Sequence, residues 1–139
     1  MVKRSTIRTV EDILRDYPKI DKLITAREEE LRHPIKQEDD NVGGGRSSMI
    51  GDSVTTVLIK LEEDGPLNLL KRKKSAVQEC YASSDEDTQV IIKELYFKKR
   101  PRLSVEGIVA NGLVNCSRSS AFLLKKEFIE KCAKMLGIY

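Results

Sequence analysis

An all-α fold is what the sequence predicts, on three observations. Apolar residues recur at steps of three and four along several segments. Those segments open on Ser, Thr or Asp and close on Gly or before Pro, the punctuation of helices. No stretch alternates Val, Ile or Thr with polar residues for more than a few positions, so nothing reads as a strand. With 139 residues, 40% apolar and 34% charged, and no tryptophan, the chain suits one full domain or two small ones on a modest helical core.

Ser5 or Thr6 can open the first helix, which carries Ile7, Val10, Ile13 and Leu14 on one face until Tyr17-Pro18 interrupts it. Pro18 then stands early in a second helix, where its missing amide does no harm, ahead of a stripe of Ile20, Leu23, Ile24, Arg27 and Leu31. Two amphipathic helices joined this closely either pack as a hairpin or bury their stripe on another subunit. The second choice makes a homodimer the assembly to consider.

Periodicity disappears over residues 34–52, which are polar, acidic and glycine-bearing, so a flexible linker is expected. Gly43-Gly44-Gly45 is not a phosphate loop, because no strand precedes it and no Gly-Lys-Ser/Thr occurs. A backbone-amide clamp on a DNA phosphate, helped by Arg46, is the functional alternative to a plain linker. His33, the one histidine, stands beside a proline and reads as a linker residue rather than a base or ligand.

Asp52 or Ser53 should cap a helix bearing Val54, Val57, Leu58 and Leu61, stopped by Asp64-Gly65. Pro66 starts the next, with Leu67, Leu70, Val77 and Tyr81 inside. Its cluster Lys71-Arg72-Lys73-Lys74 is either a solvated face or a phosphate contact.

The last third reads as a helix-turn-helix. Ser84-Asp85-Glu86-Asp87 offers a hydroxyl and carboxylates to a helix start, and Val90, Ile91, Leu95 and, at the edge, Ile92 come after it at helical spacing. The cations Lys98, Lys99 and Arg100 come next, and Pro101 should end the element near them. Ser104 opens a short helix with Glu106 in its first turn and Ile108, Val109 and Ala110 behind, closed by a left-handed Gly112. Gly107 in its interior costs about 0.5–1 kcal/mol relative to alanine unless close packing requires it. Leu113 and Val114 should pack the turn inward, and Ser117 should cap a long helix with an inner stripe of Ala121, Leu124, Phe128, Cys132 and Met135.

Arg118, Ser119 and Ser120 then fall in the first turn of that helix, where a helix-turn-helix meets base edges. Arginine pairs with guanine O6 and N7 bidentately, and serine donates or accepts. Lys98, Lys99, Arg100, Arg102, Ser117, Lys125 and Lys126 are the candidate backbone contacts. An ordinary surface helix with solvated cations is the competing reading.

The net charge of +3 conceals segregation: residues 34–64 carry three cations against seven anions, whereas residues 98–139 carry nine against three. A local positive field of that kind attracts phosphates, which makes double-stranded DNA the first partner to consider. Cys80, Cys116 and Cys132 are widely spaced and form no C-x-x-C pair, so neither a disulfide framework nor a zinc site is indicated. No carboxylate pair, nucleophile with a base or metal-ligand spacing rises above chance; an enzyme, a cofactor and a metal are therefore not expected. No segment approaches the roughly 20 apolar residues of a membrane span, and a cytoplasmic location is expected.

Asp16-Tyr17-Pro18, Asn41-Val42-Gly43-Gly44-Gly45-Arg46-Ser47, Leu95-Tyr96-Phe97 and Cys116-Ser117-Arg118-Ser119, in that order over nearly the whole chain, resemble the RinA-type phage late transcriptional regulators. The C-terminal part is also similar to region 4 of sigma factors. The resemblance implies a sequence-specific activator of phage or prophage late genes that acts with host RNA polymerase in the bacterial cytoplasm. By it, Ser117 is the recognition-helix cap and Arg118, Ser119 and Ser120 take the reading positions. The expected organisation is a helical hairpin over 1–33, a linker over 34–52, central helices over 53–82 and the helix-turn-helix over 83–139. A DNA-packaging recognition subunit of the small-terminase kind is the alternative.

Overall fold

The computed structural model describes residues 2–33 and 53–138, so Asp52 as a cap, the Gly43-Gly44-Gly45 stretch and Arg46 lie outside the described residues. Every regular element among those described is helical. In order they are α1 (Arg4–Asp16), a 3-10 turn (Tyr17–Lys19), α2 (Ile20–Arg32), α3 (Ser53–Glu63), α4 (Gly65–Ser83), α5 (Glu86–Ile92), a π-helical turn (Lys93–Phe97), α6 (Val105–Ala110) and α7 (Arg118–Leu136). The chain divides into two compact units, residues 1–20 with 72–139 and residues 21–71. Its boundaries fall at 20 and 71, where the sequence suggested 33, 52 and 82, and α1 packs with the C-terminal helices of its own unit.

In the first unit, α1 buries Val10, Ile13 and Leu14, spaced by three and one, on Ala76, Val77 and Cys80 of α4 and on Phe128, Ile129, Cys132, Ala133 and Leu136 of α7. Each large aliphatic side chain so enclosed contributes about 1.5–3 kcal/mol. The helix starts at Arg4 with Lys3 at the cap position and no side-chain cap, and Thr6 is buried within it instead of opening it. The helix gives way to the 3-10 turn at Tyr17, whose ring stacks on Phe97 at 5.0 Å between centroids, and Tyr81 meets Phe97 in a tilted contact at 5.3 Å. These rings come from three segments distant in sequence and fasten the start of the chain to the rest of this unit.

A smaller cluster of Ile91, Val105, Ile108, Val114 and Ala121 lies under α5, α6 and the start of α7. Ile92 is fully buried in the larger core instead of at an edge, so α5 serves both clusters through adjacent residues. Expected to run on towards Arg100, this helix changes to the wider π-helical turn after Ile92, and Lys98 is already extended at ψ 141°. The extra residue of such a turn rotates the side chains beyond it, and here it delivers Tyr96 to the core and Phe97 to its stack. Leu113 is exposed while Val114 is buried, so only one of the pair packs the turn inward. Met135 is likewise exposed; the lower half of α7 closes on Ala133 and Leu136 because it faces α1 and α4 together and needs a wider apolar arc than one stripe.

Within that core Cys80 Sγ donates to the Met135 thioether at 3.2 Å, and the hydrogen bond with Cys80, together with burial, pushes the Cys132 thiol up. All three cysteines are free. Gly137, at φ 71°, closes α7, with Ile138 N–H donating to Ala133 C=O at 3.0 Å. Arg72 donates to Leu136 C=O at 3.1 Å, so one member of the basic cluster on α4 satisfies a helix end.

In the second unit, Asp64 ends α3 and caps α4 by accepting Leu67 N–H at 2.8 Å. Its carboxylate also accepts from Arg27 Nε at 2.9 Å and Nη2 at 2.7 Å. That fork explains an arginine in the apolar stripe of α2. The guanidinium of Arg27, followed by the Leu67 amide, holds the Asp64 carboxyl below its ordinary value. Lys71 stands 3.8 Å from Glu28. No helix among the described residues is long and apolar enough to cross a membrane.

Candidate nucleic-acid interface

The candidate reading end begins at Ser117, whose backbone is extended at φ −74°, ψ 166°. Its Oγ accepts the Ser120 amide at 3.2 Å and donates to Ser120 Oγ at 3.1 Å. The hydroxyl expected to cap α7 does so, and it also engages the Ser120 side chain. Arg118, Ser119 and Ser120 complete the first turn, all exposed.

Arg118 is not loose. Its Nε lies 3.3 Å from Glu106 Oε2 on α6, and its guanidinium sits 5.5 Å from the centre of the Phe122 ring one turn along α7. Both side chains of the ion pair are more than half exposed, so the pair contributes roughly 0–1 kcal/mol and can be exchanged for a stronger acceptor. Glu106, Phe122 and Glu11 are neighbours that sequence reasoning did not assign. Phe122 was accessible to it, since residues four apart on a helix meet.

The loop before α6 supplies the cations. Lys98 Nζ pairs with Glu94 Oε1 at 2.9 Å, whereas Lys99, Arg100 and Arg102 are exposed and without a partner among the described residues. Ser104 ends the loop by capping α6, accepting Gly107 N–H at 3.2 Å. Because Glu106 touches Arg118 and Arg102 is four residues before Glu106, the Arg102 Cα is at most about 14 Å from that of Glu106. Arg102, at the end of the basic loop, is therefore within reach of the residue that pairs with Arg118. A Cβ on Gly107 would meet Leu103 Cδ2 at 3.2 Å, a tight contact with the far end of a side chain that can give. Gly112, at φ 70°, makes the left-handed stop, and Asn115 N–H reaches Asp87 Oδ1 at 3.4 Å.

Lys125 and Lys126 stand about 10–12 Å further along α7 from Arg118. They differ. Lys126 is exposed, but Lys125 is mostly covered and lies 3.8 Å from Glu11 Oε2, the atom that accepts the Tyr96 hydroxyl at 2.7 Å. Burial, reinforced by this bond, pushes the Tyr96 hydroxyl far up, so it remains a donor. Asp85 caps α5 by accepting Thr88 N–H at 2.8 Å, and bonds from the Thr88 side chain and amide hold its carboxyl low.

The arrangement defines an all-helical protein in which a short helix, α6, precedes a long one, α7, whose capped first turn is exposed. Residues 6–134 match the family described as a protein of unknown function (DUF722), and the chain belongs to that family, the one in which RinA-type proteins fall. It is 29% identical over 140 residues to a protein named transcriptional activator rinA of Staphylococcus phage phi11, covering 98% of this chain and 94% of that one. No solved structure matches the chain.

Proposed function

We propose that this protein is a sequence-specific transcriptional activator of phage or prophage late genes, binding double-stranded DNA and working with host RNA polymerase in the bacterial cytoplasm. α6 and α7 act as a helix-turn-helix of the sigma region 4 kind. α7 enters the major groove by its N-terminal turn, where Arg118 pairs with a guanine and Ser119 and Ser120 make adaptable contacts. Lys98, Lys99, Arg100, Arg102, Ser117 and Lys126 hold the phosphates, and Lys125 joins them once released from Glu11. The observation that carries this reading is the exposed, Ser117-capped first turn of α7, in a chain that also has Lys99, Arg100 and Arg102 exposed and without a partner among the described residues and that is similar along its length to a named transcriptional activator.

Glu106 has a part in this recognition. In free protein it holds Arg118 in place; on DNA a guanine edge replaces it. The test combines transcription with purified host polymerase from a late promoter and binding to that promoter against random DNA. Arg118→Ala should cost about 1–3 kcal/mol on the promoter, leave random-DNA binding nearly intact and abolish activation. Equal loss on both DNAs would make Arg118 a phosphate contact. No promoter response with stimulation of a packaging motor ATPase would establish a packaging subunit instead.

A further inference from the structure

The residues 21–71 unit has little closed apolar surface. Among its described residues Leu67 is the one buried hydrophobic side chain, while Leu23, Val54, Leu58, Ile59 and Leu69 stand open, Val54 at 74% and Leu58 at 56% exposure. Five large exposed hydrophobics fall within 32 described residues here, against four within 86 in the other unit, so the exposure is concentrated. Val54, Val57, Leu58 and Leu61, at i, i+3, i+4 and i+7, line a groove of about 430 Å³ whose remaining wall is Arg32 and His33 at the end of α2.

We infer that this groove is a homodimer interface in which α3 packs antiparallel against α3 of a second copy, with the two-fold axis at Leu58. An apolar wall does not suit a phosphate backbone, which asks for cations. A unit this open needs a partner present whenever the chain folds, which is the situation of subunits whose interface resembles a core cut in half.

Self-complementarity selects the second copy. Arg27 bonds Asp64 just beyond the C-terminus of α3, so α2 runs back along α3 and brings Arg32 and His33 towards its N-terminal half. At the opposite end Glu62 continues the Val54, Leu58 row by one turn, exposed and unpaired among the described residues. A two-fold axis at Leu58 sets Val54 opposite Glu62 of the second copy, and Arg32 near that carboxylate. Both ends of an isologous contact are then neutralised by one rule.

The interface is independent of DNA recognition, so the test uses the full chain without DNA: mass by light scattering or sedimentation equilibrium at tens of micromolar. Twice the 15.8 kDa chain mass is expected. Leu58→Asp, at a position already open in one chain, should return the single-chain mass with helicity largely kept. Arg32→Glu should weaken association by about tenfold or more, and adding Glu62→Arg should restore it. A wild-type chain at single mass, a larger ring, or a dimer indifferent to Leu58→Asp would each overturn the inference, whatever the DNA assays give.

Discussion

Tyr96→Phe isolates one hydrogen bond. The ring is 4% exposed and phenylalanine keeps its volume, so no cavity forms and the change removes only the hydroxyl that donates to Glu11 Oε2 at 2.7 Å. A bond to a charged acceptor contributes about 1.5–3 kcal/mol, and the orphaned group is the Glu11 carboxylate, which reaches solvent and can rehydrate. The loss should therefore lie near the low end, about 1.5–2 kcal/mol, or roughly 5–10 °C in Tm for a chain of this size. Urea unfolding followed by far-ultraviolet circular dichroism measures it. Glu11→Gln is the companion: the amide oxygen still accepts the Tyr96 hydroxyl, so less stability is lost, but Lys125, now 3.8 Å from that carboxylate, is released. Random-DNA affinity should rise and its salt slope steepen by up to about one unit. A Tyr96→Phe change below about 0.5 kcal/mol would mean that the bond between α1 and the π-helical turn does not fasten the fold, and the restraint on Lys125 would lose its basis with it.

Alanine at Lys98, Lys99, Arg100 and Arg102 together should lower promoter and random-DNA affinity alike and flatten the salt dependence, read by fluorescence anisotropy; an unchanged slope removes the loop from the interface. Gly112→Ala and Gly137→Ala, at φ 70° and 71°, should each lose about 1 kcal/mol in denaturant unfolding, while Gly107→Ala should be near neutral because its close contact is the end of the Leu103 side chain. Asp85 has a folded pKa below its unfolded value, so its contribution is present above the unfolded value near 3.8 and disappears as pH falls through the folded one. Asp85→Asn, which can still cap, should flatten that acid limb in unfolding curves measured from pH 5 downward, and an unchanged limb would assign it to other carboxylates.

Four of the caps and stops were legible because they are local chemistry, whereas α1 opens at Arg4 without the cap expected of Ser5 or Thr6. Ser104, Ser117, Asp64 and Gly112 act through neighbours within five residues, and the side chain or the missing Cβ announces the role. The features that could not be read were fixed by distant partners. Whether the apolar run ending at Phe97 stays α-helical depends on rings at Tyr17 and Tyr81, and the packing of α1 on α7 depends on a core assembled from four segments. Met135 failed as a core residue for the same reason, since a helix that faces two neighbours buries a wider arc than its simplest stripe. At the candidate site the exposed cations were legible as residue types; their division into Lys98 and Lys125, which are paired, and Lys99, Arg100 and Arg102, which have no partner among the described residues, rests on Glu94 and Glu11, and Glu11 lies on a helix far away in sequence.

The placement of the candidate reading turn is set by α7 belonging to both clusters. Ala121 is closed in the smaller one, and Phe128, Ile129, Cys132, Ala133 and Leu136 in the larger. Between Arg118 and Leu136 there is no glycine or proline, the usual sites of a kink. The helix therefore behaves as one rod, clamped over its last two and a half turns by α1 and α4 and steadied near its start by α5 and α6. A side chain removed from the larger core should thus act on the direction of α7 as well as on stability, so α1, remote in sequence, helps to set the rod on which the candidate residue Arg118 stands. The cap at Ser117 is correspondingly economical: the rod is held by its far end, and at the near end one hydroxyl satisfies the Ser120 amide while Arg118, Ser119 and Ser120 stay exposed.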